Sequence, residues 1–178
     1  MKNLFRRFTS PRTVLLTMLV PIILVPLVLT GCFATYGADY SFEADYQTYS
    51  TREDCWPTSA PVDRSVQGRI QFDVIPGSMP PEYTGRFYNM SRPEFNMNFT
   101  AMHGKGCLRP LRLWGEHDYN GKKYKFEFNF CGVTEDDNDL FVDWFSLHTE
   151  RINQVWVYDE NGDCERLDDF TYILGTKW

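Results

Sequence analysis

The chain has 178 residues, with 18 Lys and Arg against 24 Asp and Glu and a formal net charge of −6 at pH 7. Residues 1–31 hold four of the basic residues and no acidic one, so residues 32–178 carry 14 basic against 24 acidic residues, a charge of −10. This acidity argues against nucleic acid as a partner, because binding to phosphates needs a basic surface. The length after residue 31 suits one domain with a sizeable core.

The N-terminus has the order of a secretory signal, in which basic residues precede an apolar run and then small residues. Four basic residues occur before position 13, residues 14–29 are uncharged, and the segment ends in Leu29-Thr30-Gly31-Cys32. This ending resembles the lipobox of bacterial lipoproteins. The resemblance covers residues 1–32 only. It implies that the signal is cleaved before Cys32, which becomes the acylated first residue and anchors the protein in a membrane.

Two other interpretations of this segment stay open. No charge occurs between Thr13 and Ala38, and about 20 apolar residues span a bilayer, so an uncleaved membrane helix also fits; a cleaved, secreted protein is the third interpretation. With either anchor, the basic end stays cytoplasmic and the domain lies outside the inner membrane. Phe33 stands where Asp favours inner-membrane retention in lipoproteins of diderm bacteria. The resemblance therefore implies the outer membrane, with the domain on its periplasmic face or at the cell surface.

Residues 32–64 are predicted to form a tether, followed by a β-rich domain at residues 65–178. The tether contains the turn-forming segment Pro57-Thr58-Ser59-Ala60-Pro61. Alternating Tyr40, Phe42, Ala44 and Tyr46 also permit a strand within it. From Ser65 onward, apolar and polar residues alternate almost throughout. The pattern predicts an all-β domain of about seven to eight antiparallel strands, folded as a sandwich or a small barrel.

The dipeptide Asn120-Gly121 predicts a two-residue hairpin turn, since both residues tolerate positive φ. The register that follows places Leu113 opposite Phe128 on an aromatic face and Glu116 opposite Lys125 on a charged face.

A second hairpin is predicted at residues 159–163. A three-residue loop with Gly162 in a bulge sets Val155 opposite Leu167, whereas a two-residue loop sets Val155 opposite Asp168. The longer loop is preferred because it matches apolar with apolar residues.

Four cysteines remain when Cys32 is set aside, an even number that predicts two disulfides in an oxidising compartment. Sequence alone leaves three pairings open. Cys55 and Cys164 lie near the two ends of the domain, which favours their pairing and leaves Cys107 with Cys131. No Cys/His cluster in the sequence has zinc spacing.

Two acidic loops are candidate calcium sites, because calcium binds six to eight oxygens from flexible loops. The alternative is that both loops are solvated acidic turns. The candidate ligands are Asp136, Asp137, Asp139, Asp159, Asn161 and Asp163. No other cofactor is predicted.

The sequence lacks the nucleophile, zinc-protease and phosphate-loop motifs of common enzyme classes. The sequence has more aromatic residues than the core of a β-domain needs. Trp144, Trp156 and Tyr158 are therefore candidate binding residues, because Trp and Tyr are enriched at interfaces. The prediction is a non-enzymatic envelope lipoprotein that binds an envelope protein or polymer. The alternatives are an envelope-polymer hydrolase using the acidic loop with Asp143 and His148, and a carrier of an apolar ligand inside a barrel.

Overall fold

The structure is a computed structural model and describes residues 37–135 and 141–178. Within these ranges the chain forms nine β-strands and one short 3₁₀ helix, Pro93–Phe95. The strands are β1 (Gly37–Ser50), β2 (Val62–Val74), β3 (Glu82–Tyr88), β4 (Asn98–His103), β5 (Pro110–Tyr119), β6 (Lys122–Val133), β7 (Trp144–Leu147), β8 (Gln154–Tyr158) and β9 (Cys164–Lys177).

All strand pairings are antiparallel, and they close into a barrel. Each strand from β1 to β6 pairs with the next, and β1 also pairs with β9. Short strands β7 and β8 both lie between β6 and β9, β7 beside the second half of β6 and β8 beside the first half. The nine strands therefore fill eight places, and closure gives each strand within the described ranges a partner on both sides.

The barrel interior is packed with aromatic rings. The ring of Phe87 on β3 lies 5.8 Å from that of Phe128 on β6, which in turn lies 4.9 Å from Phe170 on β9. Phe72 and Phe145 meet in the same way from β2 and β7. These contacts cross from wall to wall, as expected because an eight-stranded barrel is just wide enough for its side chains.

Inward-facing glycines lie opposite phenylalanines in neighbouring strands, so that a large ring fills the space of a missing side chain. The pairs are Gly85 with Phe99, Gly115 with Phe126, and Gly175 with Phe145. This pattern lets the wall approach the core closely at each glycine.

The structure confirms the all-β class and selects the barrel over the sandwich. Both favoured disulfides are present, Cys55–Cys164 and Cys107–Cys131. The first holds the loop after β1 to the start of β9, and the second holds the loop before β5 to the outer face of β6.

The first predicted hairpin is confirmed residue by residue. Leu113 pairs with Phe128 and Glu116 with Lys125, and both Asn120 and Gly121 have positive φ. The preferred register of the second hairpin is wrong, because Val155 pairs with Asp168 rather than with Leu167. The prediction assumed that buried Val155 must lie opposite an apolar residue. Asp168 is nevertheless buried inside the barrel, where it forms an ion pair with Arg166.

The predicted tether at residues 32–64 extends too far. Residues 37–50 form β1, which pairs with strands on both sides, so the sheet begins at Gly37. The local alternation from Tyr40 to Tyr46 was the correct signal, since all four apolar residues face the core. The predicted signal, the alternative anchor and Cys32 lie outside the described residues. No helix within the described ranges has the length and apolarity needed to cross a membrane.

Candidate functional site

A groove of about 970 Å³ runs across the outer wall of the barrel from β2 to β6, open to solvent. We call it the outer groove. Outward-facing side chains of five strands supply its polar lining, together with one tryptophan. These residues are Gln71, Asp73, Thr84, Arg86, Asn98, Thr100, Trp114, Glu116 and Lys125.

The floor of the outer groove lies at Gly85 and Gly115. A Cβ at Gly115 would lie 2.8 Å from the ring of Phe126, and one at Gly85 would lie 2.4 Å from the ring of Phe99. At both positions a core ring therefore packs directly against the backbone of the wall. Phe99 and Phe126 are also among the residues that line the groove.

The polar side chains of the outer groove follow the sheet register in two rows. One row runs from Asp73 through Thr84 and Thr100 to Trp114, and a second joins Gln71, Arg86 and Asn98. With strands about 4.8 Å apart, the first row spans about 14 Å across the wall. The groove thus presents donors and acceptors at regular intervals.

Arg86, on β3, is held in place within the groove. Its Nε donates a hydrogen bond to Gln71 Oε1 at 3.0 Å, and its guanidinium carbon lies 5.0 Å from the ring centroid of Tyr88. Tyr88 donates from its hydroxyl to Asp39 Oδ1 at 2.8 Å. Burial first, and then the hydrogen bond to Asp39, raise the pKa of Tyr88. The arginine is therefore partly ordered before any ligand arrives.

Trp114, on β5, has a similar support within the groove. The guanidinium carbon of Arg112 lies 5.6 Å from its ring, and Arg112 makes two hydrogen bonds to Glu127, at 3.0 and 2.8 Å. Burial raises the pKa of Glu127, but hydrogen bonds from Arg112 and Asn129 outweigh it and leave that pKa below its ordinary value. Bidentate pairing fixes the plane of the guanidinium beside the indole.

A second groove, of about 610 Å³, lies on the outer wall at β1, β2 and β9. Trp178 stands over Arg69 there, with the guanidinium carbon 3.7 Å from the ring centroid, and its Nε1 donates to Ser41 Oγ at 2.7 Å. Sequence reasoning did not select Arg69 or Arg86, because their neighbours come from other strands.

The three predicted aromatic residues lie outside the outer groove. Trp144 is 42% exposed on β7 beside Thr176, which lines the second groove. Trp156 pairs with Lys125 at the edge of the outer groove, and the ammonium nitrogen of Lys125 lies 5.1 Å from the ring of Tyr158. The structure thus brings Trp156 and Tyr158 to one rim through Lys125 and keeps Trp144 elsewhere.

The acidic turn at residues 159–163 is organised by its own backbone. Asp159 Oδ1 accepts hydrogen bonds from the N–H groups of Asn161 and Asp163, both at 2.9 Å. The Asp163 bond is the largest of the effects that lower the pKa of Asp159. The Asp159 carboxylate is thus held by the backbone of its own turn. The other candidate ligands, Asp136, Asp137 and Asp139, lie outside the described residues.

The hydrolase residues that the structure describes do not converge. Asp143 precedes β7 and His148 follows it, which separates them by about 16 Å along the strand. Asp143 Oδ2 accepts a hydrogen bond from the Glu135 N–H at 2.7 Å, so it supports its own loop. His148 is buried beside the Cys107–Cys131 disulfide.

One buried ionic cluster was missed by the sequence interpretation. Asp168 is fully buried, accepts a hydrogen bond from Thr48 Oγ1 at 2.9 Å, and forms a 3.0 Å ion pair with Arg166. Burial raises the pKa of Asp168, and burial together with its charge raises the pKa of Tyr46 to about 12. The perturbed pKa values reflect interior packing, because a fully buried carboxylate offers no contact to a substrate.

Comparison with protein-family models, with curated proteins and with solved structures gave no match.

Proposed function

We propose that the protein is a non-enzymatic binding module of the cell envelope whose barrel holds an extracytoplasmic glycan polymer in the outer groove. The observation that carries this proposal is the groove itself, where Trp114 and ordered planar groups such as Arg86 and Gln71 face solvent together. Aromatic faces with a few fixed polar groups suit ligands that have apolar faces and hydroxyl edges.

The charge of the groove favours a neutral or mixed-charge polymer. Arg86 and Lys125 are accompanied by Asp73 and Glu116 within the same lining. Both carboxylates would repel a strongly anionic ligand, and both basic groups would repel a strongly cationic one. Rows of donors and acceptors that extend about 14 Å across four strands suit an elongated chain better than a small molecule.

The proposed location is the extracytoplasmic side of a membrane, with an acylated Cys32 as the anchor. The two disulfides support this location, because such bonds persist in oxidising compartments. An uncleaved N-terminal helix would give the same topology. Mass spectrometry of the mature protein tests the anchor: a lipid-modified Cys32 at the N-terminus is expected, and an intact Met1 would contradict it.

Binding is tested with purified envelope glycan and its soluble fragments, by sedimentation and by calorimetry. We expect Trp114→Ala and Arg86→Ala each to weaken binding by more than about tenfold, because tryptophan and arginine are enriched among the residues that dominate binding energy. Arg52→Ala is the matched control, since Arg52 is exposed in the loop after β1 and pairs only locally with Asp54. Equal binding by the wild type and the Trp114/Arg86 double variant would overturn the proposal, and capture of an envelope protein instead would assign the groove to a protein partner.

The two alternative functions gain less support. Wall-to-wall ring contacts occupy the barrel where a carried apolar ligand would sit. The separation of Asp143 from His148 does not favour a hydrolase built on that pair.

A further inference from the structure

The Cys107–Cys131 disulfide has an imidazole beside it. Sγ of Cys107, Sγ of Cys131 and a ring nitrogen of His148 all lie within 4.8 Å of one another. This is the one group of three such ligand side chains within the described residues. The three come from the loop before β5, from β6 and from the residue after β7, so their sequence spacing gave no indication of a shared site.

His148 is rigidly positioned but incompletely satisfied. Its backbone N–H donates to Asn129 O at 2.8 Å, and its carbonyl accepts from Asn153 Nδ2 at 3.0 Å. The residue is only 9% exposed, and its Nε2 has no hydrogen-bond partner among the described residues. A buried polar atom without a partner is costly and needs an explanation.

The surroundings keep space open at this nitrogen. Gly106 has a φ of +109°, and a Cβ at this position would lie 3.0 Å from His148 Nε2. Arg151 Nη2 would lie 3.6 Å from that same Cβ position. A side chain at position 106 would therefore crowd both the imidazole and this guanidinium.

We infer that reduction of the Cys107–Cys131 disulfide creates a three-ligand zinc site formed by the two cysteine thiolates and His148. A dithiol reductant breaks the protein S–S bond, forms its own disulfide and leaves two cysteine thiols. Binding of Zn²⁺ then releases the two thiol protons to solvent, and the charges of the two thiolates balance that of the metal. His148 Nε2, which has no hydrogen-bond partner among the described residues of the oxidised protein, becomes the third zinc ligand.

The geometry suits this conversion. Tetrahedral zinc with Zn–S distances near 2.3 Å needs sulfur atoms about 3.8 Å apart. The two Cα atoms are 5.8 Å apart, so rotation of the cysteine side chains supplies the separation. Three protein ligands leave the fourth position of the metal open to water or another ligand. In the oxidised state the sulfurs are bonded to each other and the site is closed, so metal binding is gated by redox state.

Cobalt(II) binding tests the inference, because tetrahedral thiolate-bound cobalt gives visible ligand-field bands and sulfur-to-metal charge transfer. Full-length protein with Cys32→Ser is reduced with dithiothreitol, desalted anaerobically and titrated with Co²⁺, then with Zn²⁺. We expect one equivalent of cobalt with two-thiolate spectra, displaced by zinc. The oxidised protein should bind none. His148→Gln should weaken binding by more than about 100-fold, since even groups outside the ligand shell contribute 10–100-fold.

A Cys55→Ser/Cys164→Ser variant is the matched control. It removes the other disulfide, whose Cys55 Sγ lies near the Tyr158 hydroxyl instead of an imidazole, and it should keep full cobalt binding. Circular dichroism checks that each variant is folded. Absence of cobalt spectra in the reduced wild type, or equal binding by His148→Gln, would overturn the inference.

Discussion

Gly115 lies directly opposite Phe126, and the ring of Phe126 occupies the space that a side chain at position 115 would need. The same relationship recurs around the barrel between other glycines and phenylalanines. It links the core to the candidate site, because Gly115 and Phe126 are both among the residues that line the outer groove.

Gly115→Ala is expected to destabilise the barrel by about 1–3 kcal/mol, the usual cost of overpacking. The added Cβ would meet Phe126 at 2.8 Å and the carbonyl oxygen of Asn98 at 2.7 Å. Urea unfolding measures the change. The loss of stability caused by Gly115→Ala should be smaller in a Phe126→Leu background, because the aromatic ring is gone, although the contact with Asn98 remains. Gly104→Ala is the control, since its nearest contact, Pro110 Cβ at 3.4 Å, is an ordinary one; equal losses at both glycines would contradict the packing argument.

The two disulfides should differ in their contribution to stability. Cys55–Cys164 spans 109 residues and Cys107–Cys131 spans 24. The chain-entropy relation gives about 5 kcal/mol for the first and about 3.5 kcal/mol for the second. Paired Cys→Ser variants, compared by urea unfolding without reductant, should therefore lose more stability at positions 55 and 164. The reverse ranking would show that native contacts near Cys107 outweigh loop closure.

Local turn chemistry made part of the fold predictable. Asn120-Gly121 specified a turn type, which fixed the register of β5 and β6 as far as Leu111 and Phe130. The position of Cys55 and Cys164 near the domain ends also favoured the correct pairing. Barrel closure was beyond the sequence, because the pairing of β1 with β9 joins residues more than 100 positions apart.

The outer groove was unpredictable for a related reason. Thr84, Arg86 and Trp114 are ordinary outward-facing strand residues in the sequence, and only strand order brings them together. The buried pair of Asp168 and Arg166 was missed because the rule of matching apolar residues ignored a carboxylate that is compensated inside the barrel.

The buried carboxyl predicts a pH effect of definite sign. The pKa of Asp168 is raised above 3.8 by burial, although Arg166 opposes the shift. The folded protein therefore binds the Asp168 proton more tightly than the unfolded protein does. Asp168 contributes fully to stability below its pKa in the unfolded state, and this contribution is lost as pH rises through its pKa in the folded state. The free energy of unfolding of the wild type relative to Asp168→Asn should fall as pH increases above about 4.

Glu127→Gln supplies a control with the opposite sign. The pKa of Glu127 lies below 4.5 in the folded protein, so its contribution is present above that value and is lost as pH falls through the folded pKa. Urea unfolding from pH 3 to 6 measures both variants against the wild type. The difference in free energy of unfolding between the wild type and each variant should change with pH in opposite directions. The same direction for Asp168→Asn and Glu127→Gln would contradict the opposite pKa shifts assigned to the two groups.

Trp178 offers a way to separate the two grooves. Its ring stacks on Arg69 at 3.7 Å, and its Nε1 donates to Ser41, yet the residue is 74% exposed. Trp178→Ala should therefore cost only about 0.5–1 kcal/mol in urea unfolding, the range for exposed cation–π contacts. Trp178→Phe should cost less, because it keeps a ring over the guanidinium and loses only the indole N–H. If the outer groove holds the ligand, both variants bind envelope glycan as the wild type does. Loss of glycan binding in Trp178→Ala, with Trp114→Ala unaffected, would move the binding site to the groove at β1, β2 and β9.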